Sequence, residues 1–256
     1  MNNSHYYTFE VCANSVASCI AAQQGGANRV ELCAAIPEGG TTPSAGAIAM
    51  ARESISIALN VIIRPRGGDF LYSDIELRTM ERDIAVARHL GADGIVVGCL
   101  NADADIDIAA TKRLIEAADG LPVTFHRAFD RCRHPFTALS QLIDLGVARI
   151  LTSGQQPTAP QGALLIASLV ERANGNIAIM AGCGVNETNI AALAQATNVR
   201  EFHFSAREPL KSRMQWLPDT SVAMGAPGAD ESIVMQTTPE RVSATIDALM
   251  QAVEPR

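Results

Sequence analysis

A chain of 256 residues with 48% hydrophobic content can bury a large core, and no Pro/Gly/Ser-rich linker or charge run divides it into two domains. A net charge of -7 and a pI near 5.2 leave no basic stripe, which excludes nucleic acid and an anionic membrane surface as partners. Lysine is confined to Lys112 and Lys211, neither on a predicted strand, so the Schiff-base aldolases are excluded as well.

Residues 1–6 read as an arm, because Met1-Asn2-Asn3-Ser4-His5 lacks the basic and apolar regions of a signal peptide. Short apolar runs then alternate with stretches of helical period. Strands are predicted at 7–12, 29–33, 58–64, 94–98, 122–126, 149–153, 177–182 and 200–205. Helical stretches follow them, among them 15–24, 75–90, 136–145 and 189–196, with Asn14, Asp74 and Asn186 as expected N-caps. A segment at 207–238 has the length of a lid, a binding loop or a partner contact, and a last helix covers 239–253. No run of 18 apolar residues offers a membrane span.

Regular β-then-α alternation predicts a parallel sheet, and eight units predict its closure. The expected fold is therefore α/β, a single (β/α)8 TIM barrel over 1–256. A doubly wound open sheet is the alternative, but no Gly-x-Gly-x-x-Gly follows the first strand.

The working face of such a barrel is formed by the strand C-termini and the loops after them. Residues two apart on a strand share a face, which groups Glu10 with Cys12, Glu31 with Cys33, and Glu201 with His203 and Ser205. Carboxylates and guanidiniums there are costly unless paired, so one reading of Glu10 and Glu31 is a self-neutralising network inside the barrel. The other makes them proton carriers beside His126, whose pKa Arg127 and Asp130 would shift. Arg64 and Arg66, with Arg127, Ser153, Gly182, Gly184 and Ser205, form the expected anion-binding set. Glycine serves tight turns equally well, so the 182–184 stretch carries both readings.

The two Glu-x-Cys units take matching places on neighbouring strands, about 4.8 Å apart. Cys12 and Cys33 could hold a soft ion such as Cu(I), form a disulfide, or pack as small hydrophobes. With the other four cysteines scattered, the chain reads as cytoplasmic with free thiols.

Several segments, in one order, resemble the CutC family of copper-homeostasis proteins. They are Arg29-Val-Glu-Leu-Cys-Ala-Ala, Glu38-Gly-Gly-Thr-Thr-Pro-Ser, Ile63-Arg-Pro-Arg-Gly-Gly-Asp-Phe-Leu-Tyr-Ser, Val123-Thr-Phe-His-Arg-Ala-Phe-Asp, Leu151-Thr-Ser-Gly and Ile179-Met-Ala-Gly-Cys-Gly-Val. The resemblance implies a cytoplasmic homo-oligomer, a dimer as the first expectation, with Cys12 and Cys33 as copper ligands and no organic cofactor. Cys99 and Cys183 stay outside that ligand set. No reaction comes with the family, yet the polar strand ends exceed what two thiols need. The alternative is thus a barrel enzyme on a small anionic, sugar-phosphate-like metabolite.

Overall fold

The computed structural model describes residues 6–216 and 230–253. Eight parallel strands close into a barrel in chain order: β1 (Thr8–Ala13), β2 (Arg29–Leu32), β3 (Ala58–Ile62), β4 (Gly94–Val97), β5 (Val123–Phe125), β6 (Arg149–Thr152), β7 (Ala178–Gly182) and β8 (Glu201–Phe204). The surrounding helices are α1 (Val16–Gln24), α2 (Ala45–Ser54), α3 (Asp74–His89), α4 (Ile108–Ala118), α5 (Pro135–Asp144), α6 (Ala163–Ala173), α7 (Ile190–Thr197) and α8 (Pro239–Val253). This is the expected (β/α)8 barrel. No helix among the described residues is long and apolar enough to cross a membrane.

Strand alternation divides the core in two. Outward-facing Val11, Val30, Leu59, Val61, Ile95, Ile150 and Phe202 are fully buried and pack against the helices. The inward set is mixed: Glu10, Arg29, Asn60 and Thr124 are buried within the barrel beside the apolar Ile62, Val96, Leu151 and Met180. Burying apolar area at about 25 cal/mol per Å² drives the outer layer, whereas the inner layer holds only if its charges are matched.

The strand ends Arg64, His126, Ser153 and Ser205 lie just past the ladders, in the connections that form the mouth. Three of them, Arg64, His126 and Ser205, border one cavity there.

Helix starts depart from expectation by one to three residues. Ser15 caps α1, its Oγ accepting from Ser18 N at 3.1 Å, while Asn14 donates to Met235 O at 3.1 Å. Ser73 precedes α3, with its N–H donating to Glu76 at 2.7 Å, so Asp74 is already helical. Asn189 occupies the α7 cap, and Asn186 makes its own turn by accepting from Thr188 N at 2.9 Å. Short polar side chains compete for the same orphan N–H groups, so the sequence marks the turn rather than the residue.

The 207–238 segment is not wholly irregular. Its flanks form an antiparallel ribbon, β9 (Arg207–Lys211) with β10 (Ile233–Thr237), which pairs Arg207 with Thr237. Thr237 N reaches Ser18 Oγ at 3.3 Å and fastens the ribbon to α1. The stretch 217–229 lies outside the described residues.

Register also differs from expectation. Glu10 pairs with Arg29 and Cys12 with Glu31, so the two Glu-x-Cys units are offset by two residues rather than level. Barrel closure requires strands to stagger, and this offset is one increment of that shear.

Candidate functional site

The floor of the barrel is an ion network. Arg29 binds the Glu10 carboxylate through Nε and reaches Glu201 at 2.7 Å, and Arg149 meets the same Glu201 at 3.0 Å. Asn60 adds a hydrogen bond to Glu10 at 3.1 Å. Burial alone would raise the Glu10 pKa, but Arg29 and then His203 reverse this and hold it at about 2. For Glu10, the self-neutralising reading describes what the structure contains.

Above this floor stands His203. Strand β8 closes against β1 and sets His203 level with Glu10, so its Nδ1 lies 2.8 Å from Glu10 Oε1. Its Nε2 faces Glu31 Oε2 at 3.6 Å, too long for a hydrogen bond. Burial opposes charge on His203, yet hydrogen bonds to Cys12 and Glu10 and both nearby carboxylates carry its pKa well above the ordinary value. Glu31 goes the other way for a carboxylate. Burial lifts it to about 8 against the attraction of His203, and its Oε1 has no partner among the described residues.

The two thiols meet despite the offset register, with Cys12 Sγ 3.7 Å from Cys33 Sγ. The hydrogen bond to Cys33 and burial both push the Cys12 thiol well above its usual pKa. Ligand atoms of Cys12, Glu31 and His203 all lie within 4.8 Å of one another. All six cysteines are free.

Cys12, Glu31 and His203 line a cavity of about 450 Å³ together with Arg64, Phe70, His126 and Arg127, and Cys33 lies behind Cys12, outside that lining. His126 sits just past β5, against the bare Gly98, where an added Cβ would strike the imidazole ring. Its Nδ1 accepts from Ala128 N at 3.1 Å, which leaves the proton of the neutral ring on Nε2. Burial first and the Arg64 charge second hold its pKa at about 3, and Nε2 has no partner among the described residues. His126 is thus a fixed neutral donor.

The remaining expected residues divide. Arg64 reaches the cavity, but its terminal nitrogens donate to the carbonyls of Glu38, Gly40 and Gly68 at 2.6, 2.9 and 2.9 Å. Arg66 does not join it: it binds Glu76 at 2.5 Å and Asp69 at 3.0 Å, away from the cavity. Asp130 is likewise committed. It accepts from Arg127 at 2.8 Å, Thr152 at 2.5 Å and the Ser153 hydroxyl at 2.9 Å, which anchors the loop after β6 rather than serving His126. Ser153 is buried and spent on that anchor, while Arg127 still borders the cavity.

Gly182 makes room: an added Cβ would lie 3.1 Å from the His203 Cβ. Gly184 lines the mouth at φ 76°, a conformation suited to glycine, and Ser205 lines it beside β8. His203 is the site residue whose role sequence reasoning misses. Its shared face with Glu201 and Ser205 was visible, but its closeness to Glu10 follows from barrel closure. Arg207 and Arg241 also border the cavity, and no sequence signal tied them to it.

Comparison with known proteins adds a family. The model of the CutC family matches residues 7–208. A family protein CutC of Bacteroides fragilis is 58% identical over 248 residues, covering 96% of this chain and 99% of that one. Another from Chromobacterium violaceum is 52% identical, covering 95% and 98% respectively. A crystal structure of a CutC protein from Streptococcus agalactiae, provisionally named for copper homeostasis, superposes with a TM-score of 0.74 at 39% identity, over 78% of this chain and 98% of that one.

Proposed function

The chain belongs to the CutC family, and from that premise we propose that the floor of its cavity binds Cu(I) as cargo in copper homeostasis. The observation that carries this is the Cys12–Cys33 thiol pair, 3.7 Å apart, with the His203 imidazole beside it. Thiolate and imidazole are donors that suit Cu(I). Glu10 accepting from His203 Nδ1 is the outer carboxylate that commonly orients a metal-binding imidazole. Because the Cys12 thiol and the His203 imidazole are both protonated in the free protein, uptake of the ion through Cys12 Sγ and His203 Nε2 must release both protons. A reduced cytoplasm would keep both thiols available, and a homo-oligomer, a dimer first, is the assembly we assign.

The test is a Cu(I) competition titration under reducing conditions. Wild type should take one ion per chain, and Cys12→Ser with Cys33→Ser should weaken binding by at least about 100-fold. Undiminished binding in that double variant would refute the thiol site.

A separate observation favours a second role. His126 Nε2, Glu31 Oε1 and Arg64 Nε are buried without partners among the described residues, and all three side chains line the same cavity. Its 450 Å³ lies in the range of metabolite pockets, roughly 300–1,000 Å³, whereas an ion needs little more space than a water. On this reading the protein is an enzyme acting on a small anionic metabolite. His126 donates from Nε2 to a substrate oxygen, and Glu31 exchanges a proton with the substrate. A panel of short sugar phosphates and carboxylates at millimolar concentration should include compounds that raise the melting temperature of wild type but not of His126→Phe. A panel with no such compound removes this role.

A further inference from the structure

Charge around the cavity is unevenly cancelled. Four guanidiniums border it, those of Arg64, Arg127, Arg207 and Arg241. Arg127 is matched by Asp130 at 2.8 Å. Arg64 is held by carbonyl oxygens only, with no carboxylate against it. Arg241 is ion-paired with Glu187, a cavity-lining carboxylate whose Oε1 lies 3.6 Å from its Nε, and donates to the Arg207 carbonyl at 2.8 Å. The Arg207 guanidinium has neither a hydrogen bond nor an ion pair among the described residues.

The Arg207 carbonyl therefore fixes a second cation, Arg241, at the cavity that Arg207 also borders, where the barrel leads into its ribbon. Two cations with one carboxylate, Glu187, beside them are one negative charge short, a deficit that a shared anion makes good, and guanidinium groups suit oxyanions. A second observation comes from deeper in the cavity. Arg64 and His126 are each 5% exposed, and each keeps one N–H without an acceptor among the described residues. Both are donors, so the group that satisfies them is an oxygen acceptor.

We infer that Arg207 and Arg241 seat the anionic end of a small oxyanion metabolite whose carbonyl or carboxylate oxygen lies against His126 and Arg64. The ligand class is a short-chain phosphate ester or carboxylate carrying a second oxygen function at its far end. A cavity of 450 Å³ has the space of roughly 15 waters, which accommodates such a compound. This rests on the enzyme role above and names its substrate class. The cationic seat is new to it, because neither Arg207 nor Arg241 is among the residues expected from the sequence to hold an anion.

The experiment titrates inorganic phosphate and, separately, malonate into the full-length protein by calorimetry. Wild type should bind at least one of the two in the millimolar range, and the better probe decides between ester and carboxylate. Arg207→Ala and Arg241→Ala should each weaken that binding at least about tenfold, Arg207→Lys should keep most of it, and the helix-surface variant Lys112→Ala should leave it unchanged. Arg207 pairs with Thr237 through its main chain, so its substitution leaves the ribbon ladder intact, and melting temperatures check this. Full binding in Arg207→Ala, or no binding of either probe by wild type, overturns the inference. The metabolite panel separates the two ideas. Panel hits that bind Arg207→Ala as well as wild type remove the cationic seat and keep the enzyme role. Phosphate binding that needs Arg207, with an empty panel, does the reverse.

Discussion

Arg29→Met is expected to destabilise the protein by about 3–5 kcal/mol, read as a fall in the urea midpoint at constant slope. Arg29 is the one guanidinium that bridges Glu10 and Glu201, and Glu10 has no solvent exposure. Removing Arg29 leaves Glu10 a buried carboxylate facing only His203 and the Asn60 amide. Glu201 keeps Arg149 and should suffer less. The loss comes from leaving a buried carboxylate with His203 as its single cationic neighbour among the described residues, rather than from the intrinsic worth of the pair. Arg29→Met combined with Glu10→Gln should therefore recover a substantial part of the stability. A single variant within about 1 kcal/mol of wild type would show that the network is not a structural requirement.

His126→Phe is expected to change how stability depends on pH. His126 has a folded pKa of about 3 against an ordinary value of 6.5. Between those values the unfolded chain binds a proton that the folded chain does not, so acidification favours unfolding by up to about 1.4 kcal/mol per pH unit from this group. Glu31 acts with the opposite sign. Its pKa is raised from 4.5 to about 8, so its contribution is full below 4.5 and is lost as pH rises through 8. The two slopes oppose each other between pH 4.5 and 6.5, and wild type should be nearly flat there. With Phe at 126 only the Glu31 slope survives, so the variant gains on wild type steadily as pH falls from 6.5 to 5. Midpoints in urea at pH 7, 6 and 5 measure that gain. Parallel curves would mean that His126 takes up its proton equally in the folded and unfolded chain.

Both effects start from groups the sequence marks and structure completes. Glu10, Glu31 and His126 are legible as strand-end polar residues, because alternation in an apolar strand makes a buried carboxylate conspicuous. What each of them does is not legible. Glu10 is neutralised by Arg29 from the next strand and by His203 from the strand that closes the ring, and that closure brings residues 10 and 203 together across almost the whole chain. Asp130 sits four residues after His126 and looks like its partner, yet the turn after β5 swings it to Ser153 and Thr152. Arg64 and Arg66 look like one clamp, and the sharp turn between them sends Arg66 to Glu76 on α3. Sequence neighbours on a loop need not share a direction, whereas residues on one strand must.

The amino-acid sequence alone determined the eightfold β-then-α order, the strand positions to within one or two residues, and the polar character of the barrel mouth. These depend on local periodicity, which is written into every short window. Only the tertiary structure decided the two-residue stagger of Cys12 against Cys33, the seat of His203 between Glu10 and Glu31, and the arrival of Arg207 and Arg241 at the rim. Those depend on barrel shear and closure, a geometric condition on all eight strands at once that no single segment encodes.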